Sequence, residues 1–72
     1  MFYEYDGQND ICPFPLVKTR QLLKKMQHGD SCMILIKDKG SKKNIISYLN
    51  KYSWQYSQKQ LDQYTIAINI TK

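Results

Sequence analysis

Apolar residues follow two rhythms along this chain, and the switches between them mark out its elements. Residues 2–5 carry the aromatic bias of a short strand. Asp6, Gly7, Gln8, Asn9 and Asp10 form a turn-rich connector. Leu16, Thr19, Leu22, Leu23 and Met26 then recur at spacings of three and four, which predicts a helix over 16–26 packed on a sheet. His28, Gly29 and Asp30 end it, with Gly29 suited to a left-handed cap. The run from 32 to 36 reads as a mid-sheet strand buried on both faces. Gly40 and Ser41 open a second helix, with Ser41 as N-cap and Ile45, Ile46, Leu49 and Tyr52 facing inward.

Two further strands follow. Trp54 and Tyr56 alternate with Gln55 and Ser57. In the last strand Tyr64, Ile66, Ile68 and Ile70 point one way, and Thr65, Ala67, Asn69 and Thr71 the other. That polar alternate row predicts a sheet with one side in water. The order is βαβαββ. Right-handed crossovers joining parallel neighbours put both helices on one face. The expected fold is a two-layer α/β sandwich, with a mixed four-stranded sheet and two helices on one face, as one domain over residues 1–72.

Composition narrows the class. A chain of 72 residues buries only about 60% of its unfolded surface, so few elements must share the core. The opening Met1-Phe2-Tyr3-Glu4-Tyr5 is no basic-then-apolar leader, and the 32–36 run is far too short to cross a bilayer. No membrane insertion is expected. Two cysteines, at positions 12 and 32, do not make a disulfide framework. Reduced thiols and a cytoplasmic location are the expectation. The net charge of +5 permits attraction to RNA or to acidic proteins. The basic residues are scattered in runs of no more than two, however, without the interleaved aromatics of an RNA-binding module. A solvated basic surface is the plainer reading, and direct nucleic-acid binding is not expected.

The candidate chemistry lies in Cys12-Pro13-Phe14-Pro15. Proline is favoured at the first helical position, where its missing N–H costs nothing, and Pro15 still falls within the first turn. Cys12 therefore reads as the residue that opens the first helix. There a thiol faces the positive end of the helix dipole and the free N–H groups of the first turn, which favours its thiolate. The two prolines reduce loop entropy, so the sulfur is presented on a rigid mount.

A βαβαββ chain whose first loop ends in Cys-Pro-x-Pro at a helix start resembles the TusA/SirA family of sulfur-carrier proteins, and the match runs along almost the whole chain. Asp6 supplies the aspartate six residues before the cysteine, and Arg20 the basic residue late in the second turn of the first helix. Gly29 supplies the glycine after that helix, and Asp38 the acid that closes the next strand. Where the family has an Asp-Ile pair in its second helix, this chain has Asn44-Ile45. Other departures are Asn9 for a glycine three residues before the cysteine, Lys39 for a proline after the acid, and Ser53-Trp54 for a Gly-His pair.

The resemblance implies a sulfurtransferase relay. A cysteine desulfurase or similar donor charges Cys12 as a persulfide, and the carrier passes the terminal sulfur to an acceptor protein thiol, as in tRNA 2-thiouridine synthesis or another sulfur-relay pathway. Pro13, Phe14, Pro15 and Asp6 belong to thiol presentation. Lys18, Arg20 and Lys24 are candidates for docking acidic partner surfaces. No metal or organic cofactor is implied; the pyridoxal group belongs to the desulfurase.

Plainer alternatives stand beside each of these. Cys12 can be an inert helix-capping residue, and Cys32 reads as a small hydrophobe in its strand. His28 has no second histidine or acidic cluster near it, and the first helix holds it roughly 20 Å from Cys12. The tyrosines and Trp54 read as sheet and core residues. Phe14 either projects as a partner contact or folds back as an apolar staple. Two other functions compete with the carrier: a non-catalytic binding module acting through its basic surface, and a redox protein pairing Cys12 with Cys32. The latter needs their Cα atoms within about 7 Å.

Overall fold

In the computed structural model, which describes residues 2–72, six elements follow one another. They are β1 (Phe2–Gly7), α1 (Phe14–Lys25), β2 (Ser31–Ile36), α2 (Lys39–Lys51), β3 (Gln55–Gln60) and β4 (Ile66–Thr71). The sheet order is β1-β2-β4-β3, with β1 parallel to β2, and β4 antiparallel to both β2 and β3. β2 and β3 are thus parallel but not neighbours, because β4 lies between them. The α2 crossover spans a gap that the last strand fills, where the pattern had suggested adjacent strands. The architecture is otherwise the expected mixed sheet with two helices.

Register explains why both helices share one face. Cys32, Ile34 and Ile36 lie opposite Ile70, Ile68 and Ile66 across the β2–β4 ladder. All six side chains are buried, and Leu23 and Met26 of the α1 side pack with Ile45 and Leu49 of α2 against them. Burying each such side chain stabilises the fold by roughly 1.5–3 kcal/mol. Tyr3 and Tyr5 of β1, Tyr56 of β3 and Leu16 close the margins of this layer.

Several local expectations change. β2 is buried on one face only: its alternate residues Ser31, Met33 and Leu35 are half-exposed, because no layer covers the second side of the sheet. On β4, Ala67 is buried although its row was expected to face water; it is small and flanked by the longer Leu35 and Lys59. Thr65 is also buried, its N–H given to the Asp62 carboxylate at 2.8 Å and its C=O taken by the Leu61 N–H at 2.9 Å. Tyr64 precedes the strand and is exposed rather than heading the inward row.

The helix ends shift as well. α2 is capped by Asp38, not Ser41: the Asp38 carboxylate accepts the Ser41 N–H at 2.9 Å and its hydroxyl at 2.8 Å. Ser41 is instead fully buried in the first turn, on the same stripe as Ile45 and Leu49, while Tyr52 falls at the C-cap and is exposed. α1 begins at Phe14, two residues before the apolar stripe, and its N-cap is Pro13, one residue beyond Cys12. Its C-terminal end does not use Gly29. Met26 turns extended at the cap and buries its side chain, and Gly29, at φ 92°, sits in the turn closed by the Asp30 N–H on the Gln27 C=O at 2.9 Å. A turn of that kind requires positive φ at its third residue, which glycine adopts without strain.

Ile68→Ala should cost about 2–5 kcal/mol in urea unfolding, the scale of a large-to-small change in a closed core. Tyr52→Ala should cost less than about 1.5 kcal/mol, the scale of its ring contact with Tyr48. The reverse ranking would contradict the observed burial of Ile68 and exposure of Tyr52.

Candidate functional site

The chain leaves β1 through a turn in which Asp10 N–H meets Gly7 C=O at 3.1 Å. Gly7 is needed there for close approach: a Cβ at this position would lie 2.9 Å from the Tyr5 ring and 3.1 Å from the Leu35 carbonyl oxygen. The Tyr5 hydroxyl donates to the Asp10 carboxylate, and burial, followed by that hydrogen bond, raises the phenol above its ordinary range. A second turn follows at once. Phe14 N–H donates to Ile11 C=O at 3.0 Å, with Cys12 and Pro13 at the centre and a cis Cys12–Pro13 peptide, the arrangement of a type VI turn. Pro13 C=O accepts Val17 N–H at 3.1 Å, the first bond of α1. Within the helix the Thr19 hydroxyl returns to Pro15 C=O at 2.7 Å, and both residues are buried.

Cys12 therefore stands one residue before the N-cap of α1, exposed to solvent. α2 reaches it from the other side. The Asn44 side-chain amide, Nδ2, donates to Cys12 Sγ at 3.2 Å. Asp38, at the head of the same helix, is held below the usual carboxylate range by its hydrogen bonds from the Ser41 side chain and backbone, with a further contribution from the Cys12 backbone. The thiol-bearing turn is thus tied to α2 through the Asn44 amide. Around it Ile11, Phe14 and Val17 are exposed apolar residues. Phe14 projects outward, at 62% exposure, and does not form a staple.

The other residues expected at the site are placed as follows. Asp6 is exposed at the end of β1, where its carboxylate accepts the Gln8 N–H at 3.1 Å; its hydrogen bond organises the connector and does not reach the thiol. Lys18 and Lys24 are exposed on α1, Lys18 beside a shallow groove with Glu4, Tyr5 and Gln21. The Arg20 guanidinium lies 5.8 Å from the Tyr48 ring centroid on α2, a cation–π contact between the two helices.

Asn44 as a thiol partner, and Ile11 and Val17 as its apolar surround, were not legible beforehand. Asp38 with a serine three residues on has the form of a helix cap and could have been found. Asn44 was noted only for standing where the family has an Asp-Ile pair; lying 32 residues from Cys12 in sequence, it gave no sign of contact with the thiol.

Cys32 is a different kind of thiol. It is buried in β2, and burial pushes it up to about 11. Both cysteines are free. Among the described residues no group of three or more His, Cys, Asp or Glu could hold a metal ion, and no helix is long and apolar enough to cross a membrane.

Fold and site together define a small α/β domain that presents one cysteine at the head of a helix, braced by a neighbouring helix. The chain belongs to the sulfurtransferase TusA family, whose model matches residues 3–72. Its fold is similar to the crystal structure of a SirA-like protein from Desulfitobacterium hafniense, with a TM-score of 0.83 and 19% sequence identity over 94% of this chain and 93% of that one. No curated protein matches the chain.

The two thiols should separate in solution. Brief iodoacetamide treatment of the native protein at neutral pH should modify Cys12 and spare Cys32 until the protein is unfolded, as read by peptide mass spectrometry. A buried thiol raised above its unfolded value stabilises the fold below the unfolded value and loses that contribution as pH rises through the folded one. Stability should therefore fall between about pH 8.5, where an unfolded thiol ionises, and about 11. Cys32→Ala should flatten that slope in denaturant titrations. An unchanged slope would show that Cys32 does not set it.

Proposed function

We propose that the protein is a sulfur carrier that bears its cargo on Cys12. The observation that carries this is the exposed Cys12 sulfur at the head of α1 in a chain of the TusA family. In loading, the Cys12 thiolate attacks the terminal sulfur of a persulfide on the donor, a cysteine desulfurase or similar enzyme. The new Sγ–S bond forms as the donor's S–S bond breaks, and the electron pair leaves on the donor cysteine. Delivery repeats this exchange toward an acceptor protein thiol, in tRNA 2-thiouridine synthesis or another relay in the cytoplasm. Catalysis is nucleophilic and covalent, with the protein itself as the intermediate.

The surroundings suit a residue that must enter other proteins' active sites. Pro13 and Pro15 stiffen the mount. Phe14, Ile11 and Val17 offer apolar contact beside the sulfur. Lys18, Arg20 and Lys24 are exposed on α1, Lys18 toward β1 and Arg20 toward α2, and offer positive charge that can steer acidic partner surfaces. Asp6 acts at one remove, by ordering the connector that leads to Cys12. Cys32, buried in the sheet, takes no part.

Intact-protein mass spectrometry after incubation with a cysteine desulfurase and cysteine tests the proposal. Wild type should gain about 32 Da, removable by dithiothreitol, and Cys12→Ser should gain nothing. Equal gain by both proteins would move the cargo elsewhere. No gain with any desulfurase would favour a binding module acting through the basic surface.

A further inference from the structure

The Asn44–Cys12 hydrogen bond is an unusual use of a helix-surface asparagine. Asn44 is exposed, lies outside the buried stripe of α2, and spends its amide N–H on a sulfur in another segment. A thiol can donate as well as accept, but a thiolate only accepts. A fixed N–H donor therefore favours the anion. We infer that Asn44 is a functional residue of the thiol site, stabilising negative charge on Cys12 Sγ and speeding departure of the sulfur that Cys12 carries.

This rests on the carrier reading for its second half only. In delivery, the acceptor thiolate attacks the terminal sulfur of Cys12–Sγ–SH. The acceptor–sulfur bond forms, the Sγ–S bond breaks, the electron pair passes to Sγ, and the proton stays on the transferred sulfur. Charge grows on Sγ as the bond breaks, where the Asn44 N–H is already aimed, so its hydrogen bond is stronger in the transition state than in the persulfide. Loading responds differently. A stabilised thiolate is more abundant but less nucleophilic, and these effects oppose each other, whereas a stabilised leaving group gains without offset. The asymmetry makes Asn44 chiefly a residue of sulfur release.

Other charges on the elements that meet here set the background. Asp38 at the head of α2 is engaged by the Ser41 N–H and hydroxyl. Lys42 and Lys43 precede Asn44 along α2, Lys18 and Arg20 lie on α1, and Asp10 before the turn takes the Tyr5 hydroxyl. None of them is replaced in the test, so differences among Asn44 variants report the amide.

The test measures the rate of Cys12 alkylation by iodoacetamide across pH, resolved by peptide mass spectrometry, in wild type, Asn44→Ala and Asn44→Asp. Asn44→Ala should alkylate about 3- to 10-fold more slowly at pH 7, the scale of one ordinary hydrogen bond, with the midpoint of the pH profile moved up. Asn44→Asp, of the same shape but carrying a like charge in place of the donor, should be slower still. The melting temperature should stay near that of wild type for Asn44→Ala, because the residue is exposed. Desulfurase-loaded Asn44→Ala should also pass sulfur to dithiothreitol more slowly than wild type. Superimposable alkylation profiles for the three proteins would overturn the inference. If the profiles separate as expected but no variant accepts sulfur, the amide's role at the thiol stands and the carrier reading falls.

Discussion

The placement of Cys12 depends on α1 and α2 lying side by side on one face of the sheet. That arrangement rests on a single apolar surface, the Cys32, Ile34 and Ile36 row of β2 beside Ile70, Ile68 and Ile66 of β4. Both rows face the same way because the ladder pairs them residue for residue, and a slip of one position would turn them to water. Leu23 and Met26 seat α1 on this surface, while Ile45 and Leu49 seat α2. Asn44 precedes Ile45 by one residue and so sits at the edge of the buried stripe, from where it can reach across to the α1 head. The hydrophobic layer does not touch the sulfur, yet it fixes the distance over which the sulfur is held.

Polar contacts then refine what burial sets. Asp38 joins the end of β2 to the start of α2 and accepts both Ser41 donors. A carboxylate at a helix N-cap complements the positive end of the dipole. Here that cap fixes the start of the helix whose Asn44 reaches the thiol turn. Tyr5 and Asp10 brace the approach from β1, and the close pass of Gly7 beneath the Tyr5 ring leaves no room for a side chain. The cysteine is therefore exposed without being loose, which is the condition for a residue that must fit more than one partner.

Most of the fold was legible because its signals are local: two helical stripes, a short apolar run and one alternating strand are each visible in a window of ten residues. What failed were judgments that need the third dimension. The insertion of β4 between β2 and β3 leaves no mark on either segment. Burial of Ala67 comes from its cross-strand neighbours Leu35 and Lys59, not from its own polarity. Ser41 was misplaced for an instructive reason: it has cap chemistry, but Asp38 three residues earlier supplies the acceptor and leaves Ser41 as the donor. At the site, Cys12, Pro13, Phe14 and Pro15 were legible as a contiguous motif. Asn44 was marked only as the residue standing where the family has the aspartate of an Asp-Ile pair; its contact with Cys12 was not legible, since the partner lies on another element.

A relay cysteine faces opposing demands. To accept sulfur it must be ionised yet nucleophilic, and to release sulfur it must be a good leaving group. Strong stabilisation by an adjacent lysine or a buried charge would serve release but blunt attack, because nucleophilicity falls as the thiolate is stabilised. The structure surrounds Cys12 with weaker influences: the head of one helix, one neutral amide donor at 3.2 Å, and solvent. None of these carries a titrating charge, so they add no pH dependence of their own. A neutral donor also leaves no uncompensated charge when the thiol enters a partner's site, where an unpaired ion would add a desolvation cost to every docking. By that argument an amide is the better partner for a sulfur that must be handed on.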